Sequence, residues 1–329
     1  MSLSQMQVFN KYVMPAAIET LAQMVDKFNA ASGGAIRLTT AGFEGDFFQE
    51  SFFAAIHSAQ RRVDRYATNE TQAATDLTQL KHSAVKIAGG FGPVRYEPSQ
   101  MTWLDKPTTE GIEVASRNLA EALMKDQLDT AILALVTAIE NQADATYDAS
   151  TAVSPAGGIS YGNINKAHAK FGDHSNSLIT QVMTGSVFHK LLGQNLTNAN
   201  RLFQARNVQI VDILGRLVVV TDAPALYETV SPGNDLEKVL SLADAAATVF
   251  DGGDVISNIE TSNGKDRIET TLQVDYTFGL SLKGYTWDDQ NGGKSPDDAD
   301  LATAAYWDKV ATSIKHTAGV ITVGDATVD

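Results

Sequence analysis

The sequence predicts an α+β fold, on three observations. Residues 108–146 carry apolar side chains at helical spacing with no proline, residues 159–254 alternate helix-like with strand-like segments, and residues 266–287 alternate apolar and polar positions with period two. At 329 residues the chain can form one large domain or two medium ones with a real core. Its 43% apolar and 19% charged content is that of a folded globular protein.

From the start of the chain, Val13, Ala17, Leu21, Met24, Val25 and Phe28 fall at helical spacing and stop at "NAASGGA". This is a short amphipathic arm, residues 1–35, that needs something to pack on. Residues 36–104 are less regular. "AIRLTT" reads as a strand, "FFQESFFAAI" is strongly aromatic, and 67–79 is polar without a core pattern. "SAVKIAGGFGPVRYEPS" reads as a strand, a glycine turn and a second extended piece. An excursion of this size is rare inside a compact domain and predicts a partner.

In 108–146 the apolar positions are Ile112, Ala115, Leu119, Leu123, Leu128, Ala131, Ile132, Leu135, Ile139 and Ala143, with one slip after Leu123. Thr108 or Thr109 can cap the start, and Glu110 and Glu113 suit the positive end of the helix dipole. Such a helix would run about 55 Å at 1.5 Å per residue, far beyond the usual length of about 11–12 residues. The period is not strictly heptad and only one such segment exists, which does not fit a coiled coil.

Residues 148–162 form a loop. "NINKAHAKFGD" reads as a helix, "SLITQVMT" as a strand and "GSVFHKLLGQNL" as a helix capped by Ser186. "ILGRLVVVTDAPAL" reads as one buried strand, broken by Gly215-Arg216 and stopped at Thr221-Asp222-Ala223-Pro224. "DLEKVLSLADAAATVFDGG" fits helix or strand. Ile268, Thr270, Leu272, Val274, Tyr276, Phe278, Leu280 and Leu282 share one face of a long strand or strand pair. Then come an acidic loop "DDQNGGKSPDDAD", a helical "LATAAYWDKVATSI" and "GVITVGDATVD", a strand or tail.

Candidate chemistry is sparse. The absence of cysteine excludes disulfides, thiolate metal sites and a cysteine nucleophile. A net charge of −14, with one modest basic cluster at Arg61, Arg62 and Arg65 beside Asp64, argues against reading nucleic-acid sequence. The opening residues show no signal peptide, and apolar windows such as Ile132–Ile139 are too short for a membrane span. His168, Asp173 and His174 lack the tight spacing of a zinc motif and read as exposed loop residues. The 289–298 loop fails the calcium-loop pattern because Gly293 stands at its fifth position. "FDGGD" reads as a turn, and phosphate, dinucleotide and nucleophile-elbow signatures are missing. Capping explains Ser186 near His189. The expectation is no catalytic residue, no cofactor and no metal. Phe47, Phe48, Phe52 and Phe53 are core or a contact with another chain. Arg61, Arg62, Asp64 and Arg65 form either inter-subunit ion pairs or a solvated helix face, where exposed pairs contribute little. Lys86 and Arg95 join them as candidate inter-subunit contacts. Trp103 and Trp287 read as core anchors.

The order of elements resembles the major capsid protein of tailed bacteriophages, the HK97-like fold: arm, protruding loop, one very long helix, compact α/β region, long late strands. "LITQVMTGSVFHKLLGQNL" is similar to that family's strand and helix through Met183, Val187, Phe188 and Leu191. "ILGRLVVVTDAPAL" resembles its next strand through Gly215, Val218, Val219, Val220, Asp222 and Pro224. "YTFGLSLKGYTW" resembles its late strand. The resemblance covers roughly residues 1–290. It implies an N-terminal arm at 1–35, an extended β loop at 36–104 lying over a neighbouring subunit, and a peripheral domain with its spine helix at 105–158 and 255–290. It further implies an axial domain at 159–254 near the centre of hexamers and pentamers; residues 291–329 exceed the family's minimal pattern and stand as a C-terminal extension. The implied role is self-assembly into an icosahedral head shell around double-stranded DNA, in the virion after assembly in the host cytoplasm. The implied partners are further copies of the chain, with scaffolding, portal and decoration proteins beyond them. An encapsulin-like compartment, a metal-dependent hydrolase built on 160–250 and a secreted surface protein are the competing readings.

Overall fold

The computed structural model describes residues 16, 19–21, 23–26, 28–30, 32–42, 45–53, 62–66, 68, 79–96, 109–152, 156–198, 216–230, 233–264 and 266–328. The described residues among 16–30 are helical. The mixed α+β architecture has two sheets joined by one long helix. The first sheet runs β1 (Ile36–Gly42), β9 (Ala247–Ser262), β10 (Glu269–Leu282), β11 (Tyr285–Trp287) and β12 (Trp307–Lys309), with β3 (Gln79–Tyr96) on the other side of β10 and β2 (Phe47–Phe53) beyond it. Only β1 to β9 is parallel there. The second sheet runs β4 (Thr146–Asp148), β13 (Gly319–Asp325), β8 (Leu236–Ala243), β5 (Leu178–Met183) and β6 (Leu217–Val220), with β7 (Tyr227–Glu228) against β8.

The helix α1 covers Thr109–Glu140, 32 residues, which is about 48 Å. From Thr130 to Ile139 every residue except Leu133 is buried. A helix apolar on all sides belongs between layers, and this end of α1 packs on both sheets and on the turn Pro224–Leu226. Ala143, expected on its seam, is exposed beyond its end, and Leu128 is half-buried. The hydroxyl of Thr146 lies 3.0 Å from the Gln142 carbonyl and closes the helix end. On the far face of the second sheet sit α2 (Tyr161–Ala169) and α3 (Gly185–Asn198), packed on Met183 and Val239. Thus β8 is buried on both faces although its sequence, LEKVLSLA, carries Glu237, Lys238 and Ser241 among the apolar residues. Its Leu240 and Leu242 face α1, and Val239 faces the other helices.

Several expectations change. "SAVKIAGGFGPVRY" contains no turn: β3 runs on through its glycines, paired with β10 from Val85 to Tyr96 with one register shift between Phe91 and Val94. Gly89 stands opposite Tyr276, and a Cβ there would lie 2.7 Å from the tyrosine ring. The glycine lets that ring cross the sheet face and donate from its hydroxyl to Asp126 on α1, 2.6 Å away. "FDGGD" is a bulge within β9 rather than a turn between strands. There the ladder to β10 shifts between Tyr276 and Phe278, and Gly253 (φ 71°) donates its N–H to Asp251.

"LATAAYWDKVATSI" is not one helix. A single turn, α4 (Asp298–Leu301), opens with a reciprocal Asp297–Asp300 capping box, and Trp307 then enters β12 opposite Trp287. The indole of Trp307 donates to the Leu301 carbonyl at 3.1 Å. Thr184, not Ser186, caps α3, accepting from the Val187 N–H at 3.3 Å; Ser186 donates to Glu237 instead. "GVITVGD" is a strand, and residues 291–329 are no appendage: β13 is buried along its length between β4 and β8. "LVVV" reads as a buried strand from its apolar run. It is the exposed edge of the second sheet, because only β5 pairs with it among the described residues. Ile213–Gly215 lie outside the described residues, as does Trp103.

Candidate assembly surfaces

Two polar locks fix the body that carries the exposed surfaces. At the C-terminal end of α1, Lys238 of β8 is 5% exposed and pairs with Glu140 at 2.8 Å and Glu228 at 2.7 Å. Burial works against the lysine charge, but the two carboxylates outweigh it and hold its pKa above the ordinary lysine value. Toward the N-terminal end, Asp126 takes the Tyr276 proton donor, and burial followed by that bond raises the tyrosine pKa. Together they tie the helix to β8 and β10, one in each sheet.

Three exposed regions project from this body. The first is the outer end of the β9–β10–β3 ribbon. Val94, Val255 and Ile268 lie on the face of β10 that carries Leu272 and Tyr276, at 56%, 37% and 55% exposure, with Ile256 at 66% on the reverse. A groove of about 330 Å³ continues that face inward. Its lining includes Leu21, Val25, Leu38, Leu123 and Val249. The second region is the segment 62–66, beyond the β2–β3 pair, where Val63 and Tyr66 are 68% and 92% exposed beside Arg62 and Arg65. The third is β6, whose Leu217 and Val220 are each about half exposed on an edge strand. Soluble proteins usually protect apolar sheet edges, and contiguous exposed apolar surface marks a place where something binds.

The residues singled out in the sequence are distributed as follows. Phe47 is half-buried and packs on the main core. Phe48, Phe52 and Phe53 lie on β2, with side chains outside the described set. Arg62 and Arg65 are exposed, and Arg61 lies outside the described residues. Lys86 and Arg95 lie on β3 and pair within the chain, Lys86 with Asp254 at 3.0 Å and Arg95 with Glu269 at 3.4 Å. Trp287 is a core anchor, stacked edge-on with Trp307 at 4.9 Å.

The histidines correct the reading of an exposed loop. His174 is exposed against His316, but His168 on α2 is 3% exposed. Its Nε2 lies 2.8 Å from Ser241 Oγ and its Nδ1 2.6 Å from the Arg216 guanidinium. Burial first, then Arg216, lowers its pKa to about 4. Among the described residues no cluster of histidine and acidic side chains could hold a metal, and no helix is long and apolar enough to cross a membrane. The role of Arg216 carried one sequence signal, the Gly-Arg break in an apolar run.

A family model described as "Major capsid protein 13-like" (Gp13-like) matches residues 5–321. Among solved structures, the fold is similar to the cyanophage Pam1 capsid asymmetric unit, with 13% identity, a TM-score of 0.55 and 89% of each chain covered. It also matches the capsid of the Helicobacter pylori bacteriophage KHP30 at 11% identity and a TM-score of 0.48, over 90% of this chain and 89% of that one. No curated protein matches the sequence.

Proposed function

The chain belongs to the major capsid protein 13-like family, and from that premise we propose how its surfaces build a shell. It is a structural major capsid subunit of an icosahedral phage head, a component of the virion that associates with copies of itself. We assign the first sheet and α1 to the peripheral part of the subunit, the second sheet to the axial part around hexamer and pentamer centres, and residues 54–78 to the tip of the loop that lies over a neighbour. The segment 291–329 belongs to both parts, since β12 joins one sheet and β13 the other.

The observation that supports this reading is the placement of the exposed apolar side chains. Apart from Tyr227 on β7, they sit on the ribbon end, the 62–66 segment and the β6 edge, and burying each against another copy yields roughly 25 cal/mol per Å². The acidic balance of the chain, −14, discourages adhesion to packed DNA, which the shell encloses without reading its sequence. Assembly takes place in the host cytoplasm, with scaffolding, portal and decoration proteins as further partners, and the subunit works without enzymatic activity.

The ribbon gives the test. Ile256→Asp with Ile268→Asp changes two side chains that are more than half exposed, so the subunit keeps its melting temperature within a few degrees. Sedimentation then shows subunits or small capsomers in place of shells. Normal shells from the double variant would remove the ribbon from the assembly surface.

A further inference from the structure

Arg216 stands where the chain enters β6, and each of its three guanidinium nitrogens is engaged in one clamp. Nε donates to the Leu178 carbonyl at 2.5 Å, Nη2 to the Ser175 carbonyl at 2.6 Å, and Nη1 to His168 Nδ1 at 2.6 Å. Those partners lie at the start of β5, in the 3₁₀ turn Gly172–Ser177 and on α2. Arginine has no acceptor, so His168 Nδ1 must carry the lone pair and Nε2 the proton, donated to Ser241 Oγ on β8. The imidazole is therefore neutral in the folded chain, with both nitrogens committed.

We propose that Arg216 is a positioning residue for self-assembly, fixing the exposed edge strand β6 on the body of the second sheet, and that proton uptake by His168 opens the clamp. The proposal rests on the shell-subunit reading for its purpose and on the described geometry for its mechanism. A proton on Nδ1 would set an imidazolium against the guanidinium with no acceptor between them. The charged groups on the surrounding elements do not offset this. On α2, Lys166 is exposed over the Tyr147 ring. On the 3₁₀ turn, Asp173 is exposed and paired with Lys315, and His174 is exposed. On β8, Glu237 is held at the far end by Lys190 and Ser186. Gln181 of β5, opposite Ser241, is neutral.

The sign follows from linkage. The native imidazole titrates near 4 and a released one near 6.5, so the native state binds fewer protons between those values. The clamp is fully effective above about pH 6.5 and weakens as pH falls toward 4. Between pH 7 and pH 5 the opening equilibrium should rise about twentyfold.

The experiment is amide hydrogen exchange on the full chain at pH 7 and pH 5, corrected for intrinsic rates, comparing the wild type with His168→Gln. Glutamine can accept from Arg216 and donate to Ser241 but takes up no proton. In the wild type, protection of the β6 amides falls about twentyfold while that of β11 and β12 holds; in His168→Gln the β6 protection stays level. Equal pH dependence of β6 in the two proteins would overturn the proposal. Should the variant not fold, the wild-type His168 ring protons followed by NMR decide: titration near 4 supports the clamp, and titration near 6.5 contradicts it. Shell assembly at pH 7 is scored separately, so a chain that never assembles with an intact, pH-sensitive β6 would count against the shell reading and not against the clamp.

Discussion

Leu135→Asp is expected to leave no folded protein. The side chain is fully buried in the stretch of α1 that is enclosed nearly all round, touching the core shared by both sheets. Removing the leucine costs about 2–5 kcal/mol, and an unpaired carboxylate in that position costs several more or forces its own protonation. Domains of this kind hold about 5–15 kcal/mol in total. Soluble yield and far-ultraviolet circular dichroism report the outcome: aggregated material, or a chain without a cooperative melt. Leu128→Asp makes the comparison, because its half-buried side chain can turn toward water, and it should fold with a lowered melting temperature. A Leu135→Asp protein melting within a few degrees of the wild type would show that α1 does not join the two sheets.

The second large effect separates folding from assembly. Phe53 and Gln79 are paired at the end of the β2–β3 ladder, so a four-residue Gly/Asn/Ser turn can replace residues 54–78 without moving either strand. The shortened subunit is expected to keep its secondary structure and its melting temperature within a few degrees, yet to form no closed shell. A wider deletion, 45–95, would not test this, because it removes β3 and exposes one edge of β10 over most of its length. Closed particles of normal size from the 54–78 replacement would show that the segment does not bridge subunits.

How much of this was legible in the sequence follows from which interactions are local. The long helix announces itself, since its apolar spacing survives over many turns, and β10 does so through strict alternation. The order of elements was enough to reach the family. What escaped depends on partners distant in the chain. "LVVV" is as apolar as a central strand, and only the topology places it at an edge. The glycines of β3 look like a turn until Tyr276, far along the chain, is seen to need the space above Gly89. β13 reads as a strand or a tail, and only its pairing with β4 and β8 decides for a buried strand. His168 sits in a polar stretch that suggests exposure, and its burial is created by Arg216 and Ser241, both distant in sequence. For the proposed contacts the sequence shows residue types and not geometry: Arg62 and Arg65 lie exposed on a segment that is not helical, and Lys86 and Arg95 pair within their own chain.

The central claim is that this polypeptide covers its projecting apolar elements with copies of itself. Electron microscopy of the purified full-length chain at neutral pH tests it most directly. The expected images are closed icosahedral particles, accompanied by rings of five or six subunits. A homogeneous monomer at every concentration reached, with neither shells nor rings, would contradict it.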